Sequence, residues 1–207
     1  MHRLALLAIL AACGQPSRPT TSSPSQVASA PTPYSFDFLP ADLRERGPSL
    51  IDIQCPAGTK RVETSSYGRT HRHCETPTKE YEGPIVEFAE GEIRLRGTHA
   101  GYRSGIEISA NAGGVIEAEY AANHPVGRYR YRKGSIVVAE GAFDSEGRLD
   151  GEWIFRTPVS GQELTRTTFT HGTGSIEIWD WRGSQPKVAA RLQCKDGLLD
   201  GAQMFHL

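Results

Sequence analysis

Six glycines recur at near-regular intervals from residue 83 onwards: Gly83, Gly105, Gly127, Gly151, Gly174 and Gly201. The spacings are 22, 22, 24, 23 and 27 residues, which marks a small supersecondary unit repeated along the chain. After three of them, apolar or aromatic residues stand at the second and fourth places: Tyr129 and Tyr131, Trp153 and Phe155, Ile176 and Ile178. A period of two places such side chains on one face of a strand. A further glycine interrupts each block, at Gly91, Gly113–Gly114, Gly134, Gly161 or Gly183. A second alternating run follows, as in Ile93/Leu95, Ile116/Ala118/Tyr120 and Val188/Ala190/Leu192. Each block therefore reads as strand, turn, strand, turn, which is a β-hairpin. One hairpin alone is marginal in water, so its neighbours must complete the sheet. The expectation is an all-β fold: an antiparallel meander over residues 81–207, drawn as a single elongated sheet of stacked β-hairpin repeats.

Composition agrees with that reading. The chain holds 22 glycines and 13 prolines with 38% hydrophobic residues, and no stretch sustains the i, i+3, i+4, i+7 spacing of an amphipathic helix. Residues 34–80 precede the repeats and supply Phe36, Phe38, Leu39, Leu43, Leu50, Ile51 and Ile53, enough for a small N-terminal cap. A short helix at Pro40 to Arg46 suits this segment, because proline is tolerated in a first turn and Asp42 favours a helix N-terminus. The run Gly147-Arg-Leu-Asp-Gly-Glu-Trp-Ile-Phe155, echoed by Gly197-Leu-Leu-Asp-Gly-Ala-Gln-Met-Phe205, resembles the variant MORN repeat of bacterial proteins. That resemblance covers roughly residues 83–207 and implies a hairpin repeat. Proteins carrying such repeats are often labelled antitoxin-like.

The N-terminus carries an address. A short basic start, Met1-His2-Arg3, leads into the apolar run Leu4 to Leu10 and then Leu10-Ala11-Ala12-Cys13. The run is too short to span a bilayer, and its end resembles the lipobox of bacterial lipoproteins. The resemblance implies a signal peptide over 1–12 and a lipidated Cys13. Each buried acyl methylene contributes about 0.8 kcal/mol, so several chains hold a protein on a membrane. Gly14 rather than Asp follows the cysteine, which by the family's sorting rule implies the outer membrane. Residues 13–33 are rich in Pro, Ser and Thr and have little to bury, so they read as a disordered tether.

In an oxidising envelope three cysteines remain. Cys55 and Cys74 flank a polar stretch able to turn back on itself, and are expected to form a disulfide that closes a loop. Cys194 ends the alternating run that includes Leu192 and is expected to be a buried thiol.

The formal net charge of −1 gives no global field for nucleic acid. His71 and His73 would share a strand face, but two ligands fall short of the three a catalytic zinc site needs, so a solvated loop and no metal are expected. The His171-Gly-Thr-Gly-Ser175 run sits at a block junction and reads as a turn. Glu117 and Glu119 alternate away from Ile116, Ala118 and Tyr120 and read as surface decoration. Arg128, Arg130 and Arg132 share one face opposite Tyr129 and Tyr131. They form either a binding strip for an anionic glycan or lipid, or partners for Glu117, Glu119 and Glu140 across the sheet. Trp179 and Trp181 could form an aromatic ledge for a glycan, but repeat-core packing is the preferred reading. No catalytic elbow or phosphate loop is present, and no cofactor is implied. The functional expectation is a membrane-anchored, non-enzymatic envelope module that binds a protein partner through its sheet. The rival expectations are a glycan- or anionic-lipid-binding module and a small envelope hydrolase or metal enzyme.

Overall fold

The computed structural model describes Leu39 and residues 41–45, 50–180, 186–200 and 204–205. The signal segment, Cys13, the tether, Trp181, Gly183 and Gly201 lie outside the described residues. The fold is all-β and antiparallel, with each hairpin of the meander pairing in chain order. By internal contacts the described chain falls into two compact units that divide between His124 and Pro125.

The first unit opens with α1 (Ala41–Arg44), inside the helix expected at Pro40 to Arg46. Seven strands follow: β1 (Lys60–Ser66), β2 (Arg69–Glu75), β3 (Tyr81–Ala89), β4 (Glu92–His99), β5 (Tyr102–Arg103), β6 (Gly105–Asn111) and β7 (Gly114–Ala121). Their order is β1-β2-β3-β4-β6-β7, with β5 beside β4. Register places Phe88 opposite Ile93, Ile93 opposite Ala110, and Ala110 opposite Val115, so four strands contribute to one continuous apolar row. All four side chains are buried. Leu39, Leu43, Leu50 and Ile53 pack on this row as the expected cap. Such burial is the main favourable term, at about 1.5–3 kcal/mol per large side chain.

The expected Cys55–Cys74 disulfide is formed, and the polar stretch it closes does turn back on itself. It contains the β1–β2 hairpin, and β2 pairs onward with β3, so the disulfide staples the cap to the sheet itself. The apolar pattern alone missed this because β1 is an edge strand whose residues are mostly exposed.

The second unit comprises β8 (His124–Lys133), β9 (Ile136–Phe143), β10 (Leu149–Arg156), β11 (Glu163–Phe169), β12 (Gly174–Asp180), β13 (Lys187–Lys195), β14 (Leu198–Leu199) and β15 (Met204–Phe205). Strands β8 to β11 pair in order; β12, β13 and β14 form a separate ladder, with β15 also on β13. The ladder thus breaks once, after the single bridge Thr170–Thr173. The core is aromatic. Trp153 is fully buried, stacks with Tyr129 at 5.5 Å and meets Phe143 edge-on at 5.3 Å. Its indole N–H donates to the Ala142 carbonyl at 3.0 Å. Cys194 is buried beside Leu192 in sequence and takes no part in the disulfide.

Gly151 does not open a turn; it lies inside β10 with φ 67°, where the pairing to β9 shifts register between Asp150 and Ile154. It is a bulge, a conformation open to glycine at little cost. The junction turns come a few residues earlier, as at His171 and Gly172, whose φ values of 48° and 80° make a two-residue turn of the kind that suits strand twist. Glycines of this meander thus mark bulges as well as turns.

Candidate functional site

The arginine strip emerges on β8 as the alternation requires, with Tyr129 buried behind it. Arg130 lies directly across from Glu140, their charged groups 3.8 Å apart, and Arg156 from β10 reaches the same carboxylate at 2.8 Å. Further along the same face Arg166 pairs with Glu152 and with Glu163. This face therefore carries a ladder of alternating charge, in which Arg130 of the strip meets a carboxylate within the sheet. Arg128 is the exposed member. Surface pairs of this kind stabilise by a few tenths of a kcal/mol each.

The histidine pair is placed differently from expectation. His71 and His73 do share a face, but they sit on β2 between two strands rather than in a solvated loop, and His73 is buried. Their rings stack at 4.7 Å, and Tyr81 meets the ring of His73 edge-on at 4.7 Å. His71 Nε2 and His73 Nδ1 are buried without a hydrogen-bond partner among the described residues. Burial lowers the affinity of both rings for a proton, and for His73 the neighbouring His71 adds to this. Among the described residues, no group of three or more His, Cys, Asp or Glu is placed to hold a metal ion.

His171 approaches Asp144, Nδ1 to Oδ2 at 3.3 Å, which superficially looks like half of a catalytic relay. The carboxylate is already engaged. Asp144 accepts from the main-chain N–H of Glu146 and of Arg148 at 2.9 Å each, and from Arg148 Nε at 2.8 Å. Desolvation pushes this carboxyl upward, but those donors outweigh it and hold its pKa down at about 2. The group staples a turn, and His171 donates its own N–H to Asp150 at 3.0 Å as part of the same turn cluster. The other expected features are scattered. Glu117 and Glu119 are half-buried on β7, and Trp179 is half-buried on β12.

What sequence reasoning missed is an open groove in the first unit. About 410 Å³ in volume, it is lined by Pro84, Leu95, Gly97, Thr98, Ser104 and Ile106 among others. It exists because Gly97 lets the chain double back: Ser104 N–H donates to the Gly97 carbonyl at 3.0 Å. A Cβ on Gly97 would stand 2.2 Å from the Ser104 carbonyl oxygen. Ile106 on the groove wall is 59% exposed and Tyr102, on β5, is 55% exposed. Glu119 lies directly across from Ile106 in register and so puts a carboxylate beside it. In sequence the signal was only Tyr102 on the two-residue β5 and Ile106 at the start of β6, which no single alternating run links.

No protein-family model matches the chain, and no curated protein matches it either. Among solved structures, a crystal structure of TarM aligns with 62% of this chain and 24% of its own length, at 15% identity and a TM-score of 0.34. A second, of a Staphylococcus aureus TarM mutant in complex with fondaparinux, α-GlcNAc-glycerol and UDP, covers 64% of this chain and 23% of its own, at 12% identity and a TM-score of 0.26. At those scores neither alignment bears on function.

Proposed function

We propose that the chain is a lipid-anchored outer-membrane lipoprotein whose hairpin sheet is a non-enzymatic binding module for a protein partner. The observation that carries the binding half is the groove between Pro84, Leu95 and Ile106, with Tyr102 and Ile106 exposed beside it. Such a patch gains by covering apolar area. The carboxylate of Glu119 next to Ile106 suits a partner that presents an apolar side chain flanked by a base. The lipobox-like Leu10-Ala-Ala-Cys13 supports the anchor, and the Cys55–Cys74 disulfide suits an oxidising compartment.

The test is capture from envelope extract by the full chain carrying Cys13→Ser, with Ile106→Arg and Arg128→Glu as paired variants. The expected result is one protein retained at low and high salt, lost with Ile106→Arg and kept with Arg128→Glu. Retention of lipid or polysaccharide alone, abolished by Arg128→Glu or by salt, would replace this reading with an anionic-ligand one. Turnover of an envelope substrate by the purified chain would replace it with an enzyme.

A further inference from the structure

Strand β1 ends the sheet order of the first unit and pairs on one side only, with β2. No other described main chain bonds to its outer edge. Such an edge offers a row of N–H and C=O groups to any strand that can meet it, and proteins commonly guard it with charge. Here the charges are arranged symmetrically: Lys60-Arg61-Val62-Glu63-Thr64 places opposite signs at equal distances either side of Val62.

We propose that β1 is a self-association edge, pairing antiparallel with β1 of a second copy across a two-fold axis at Val62. In that register Arg61 of one copy stands opposite Glu63 of the other, twice, and Val62 meets Val62. Moving the axis by one residue sets Arg61 against Arg61, or Glu63 against Glu63. Both alternatives place like charges face to face, so the Val62 register is favoured over its neighbours. The side chains are available: that of Lys60 is 65% exposed, that of Arg61 43% and that of Glu63 35%. Arg61 already reaches Asp52 at 2.8 Å and, more loosely, Glu63 of its own strand at 4.0 Å, and Glu63 accepts from Arg72. A guanidinium has five donors and a carboxylate two oxygens, so each keeps capacity for a further partner. Arg61 and Glu63 also lie on one face, because Glu63 pairs with Arg72 and Arg61 with Cys74 on β2. The new ion pairs would therefore form on the side of the sheet that carries the cap. This inference is independent of the groove and of its partner.

Sedimentation of the full chain carrying Cys13→Ser tests it. The parent protein should show a concentration-dependent dimer. Arg61→Glu and Glu63→Arg should each weaken it about tenfold or more, because both ion pairs become like-charge contacts. Mixed in equal amounts, the two variants should recover a heterodimer, since every opposed pair is complementary again. Two variants that had merely misfolded would not rescue one another. Independently, Val62→Cys should cross-link to itself under oxidised glutathione, as directly opposed strand positions lie within disulfide reach. A parent protein that stays monomeric, single variants that dimerise as the parent does, a mixture that stays monomeric, or a Val62→Cys chain that fails to cross-link would each overturn the proposal.

Discussion

Gly141→Ala sets two physical effects against each other, and the structure decides the sign. Gly141 lies inside β9 with an ordinary strand backbone, so on propensity alone alanine should help by roughly 0.5–1 kcal/mol. The space for a methyl group is taken. A Cβ at Gly141 would stand 2.2, 2.4 and 2.6 Å from three atoms of the Trp153 indole. The indole has nowhere to go: it is fully buried, donates to Ala142 at 3.0 Å, and is packed by Tyr129, Phe143 and Phe155. Relief requires breaking that hydrogen bond or displacing the aromatic cluster, and overpacking of this kind costs about 1–3 kcal/mol. The expected net effect is a loss of about 1 kcal/mol, or a fall in Tm of about 2–4 °C for a chain of this size. Thermal melts followed by far-UV circular dichroism measure it. The companion variant Trp153→Leu is destabilising by itself, but it empties the contested space. In the double variant the alanine should then cost little, a coupling of about 1 kcal/mol or more. A Gly141→Ala protein as stable as the parent, or a strictly additive double variant, would refute the steric argument.

Four further outcomes follow from the same geometry. Replacing Cys55 and Cys74 together with alanine should cost about 3 kcal/mol by releasing a loop with 19-residue separation, seen as a lower urea midpoint that matches the reduced parent. His71 and His73 bind protons less readily folded than unfolded, so the unfolded chain takes up more protons as pH falls. Stability should be full above about pH 6.5 and fall with acidification through that value, and His73→Phe should flatten the slope of Tm against pH. Asp144 behaves as a depressed carboxylate, so its contribution should persist at neutral pH and disappear as pH drops from roughly 4 towards about 2; Asp144→Asn should remove that part of the acid transition. Cys13→Ser should move the protein from the membrane fraction to the soluble fraction, because acyl chains would supply the anchoring energy.

Period-two alternation was enough to place the strands on either side of Gly91, Gly113–Gly114, Gly134 and Gly161, because hairpin turns need glycine and buried faces need every second side chain apolar. The same alternation put Tyr129 and Tyr131 behind the arginines, while the polar, turn-capable stretch between Cys55 and Cys74 made those two plausible partners. It was silent on β1, where one-sided pairing and exposure leave no apolar pattern to read. It also misplaced His71 and His73, since polar residues between two strands look, in sequence, like polar residues in a loop. Whether Arg130 is a binding residue or half of an ion pair depended on cross-strand register, which brings Glu140 opposite it. The groove depended on Gly97 and Ser104 meeting backbone to backbone, a contact between strand ends that no local pattern encodes. Sequence by itself determined the strand periodicity and the turns, because these follow from forces between near neighbours. Only the tertiary structure decided which charges neutralise one another, which edge stays open and where apolar surface is left uncovered, because those depend on residues that the chain brings together from a distance.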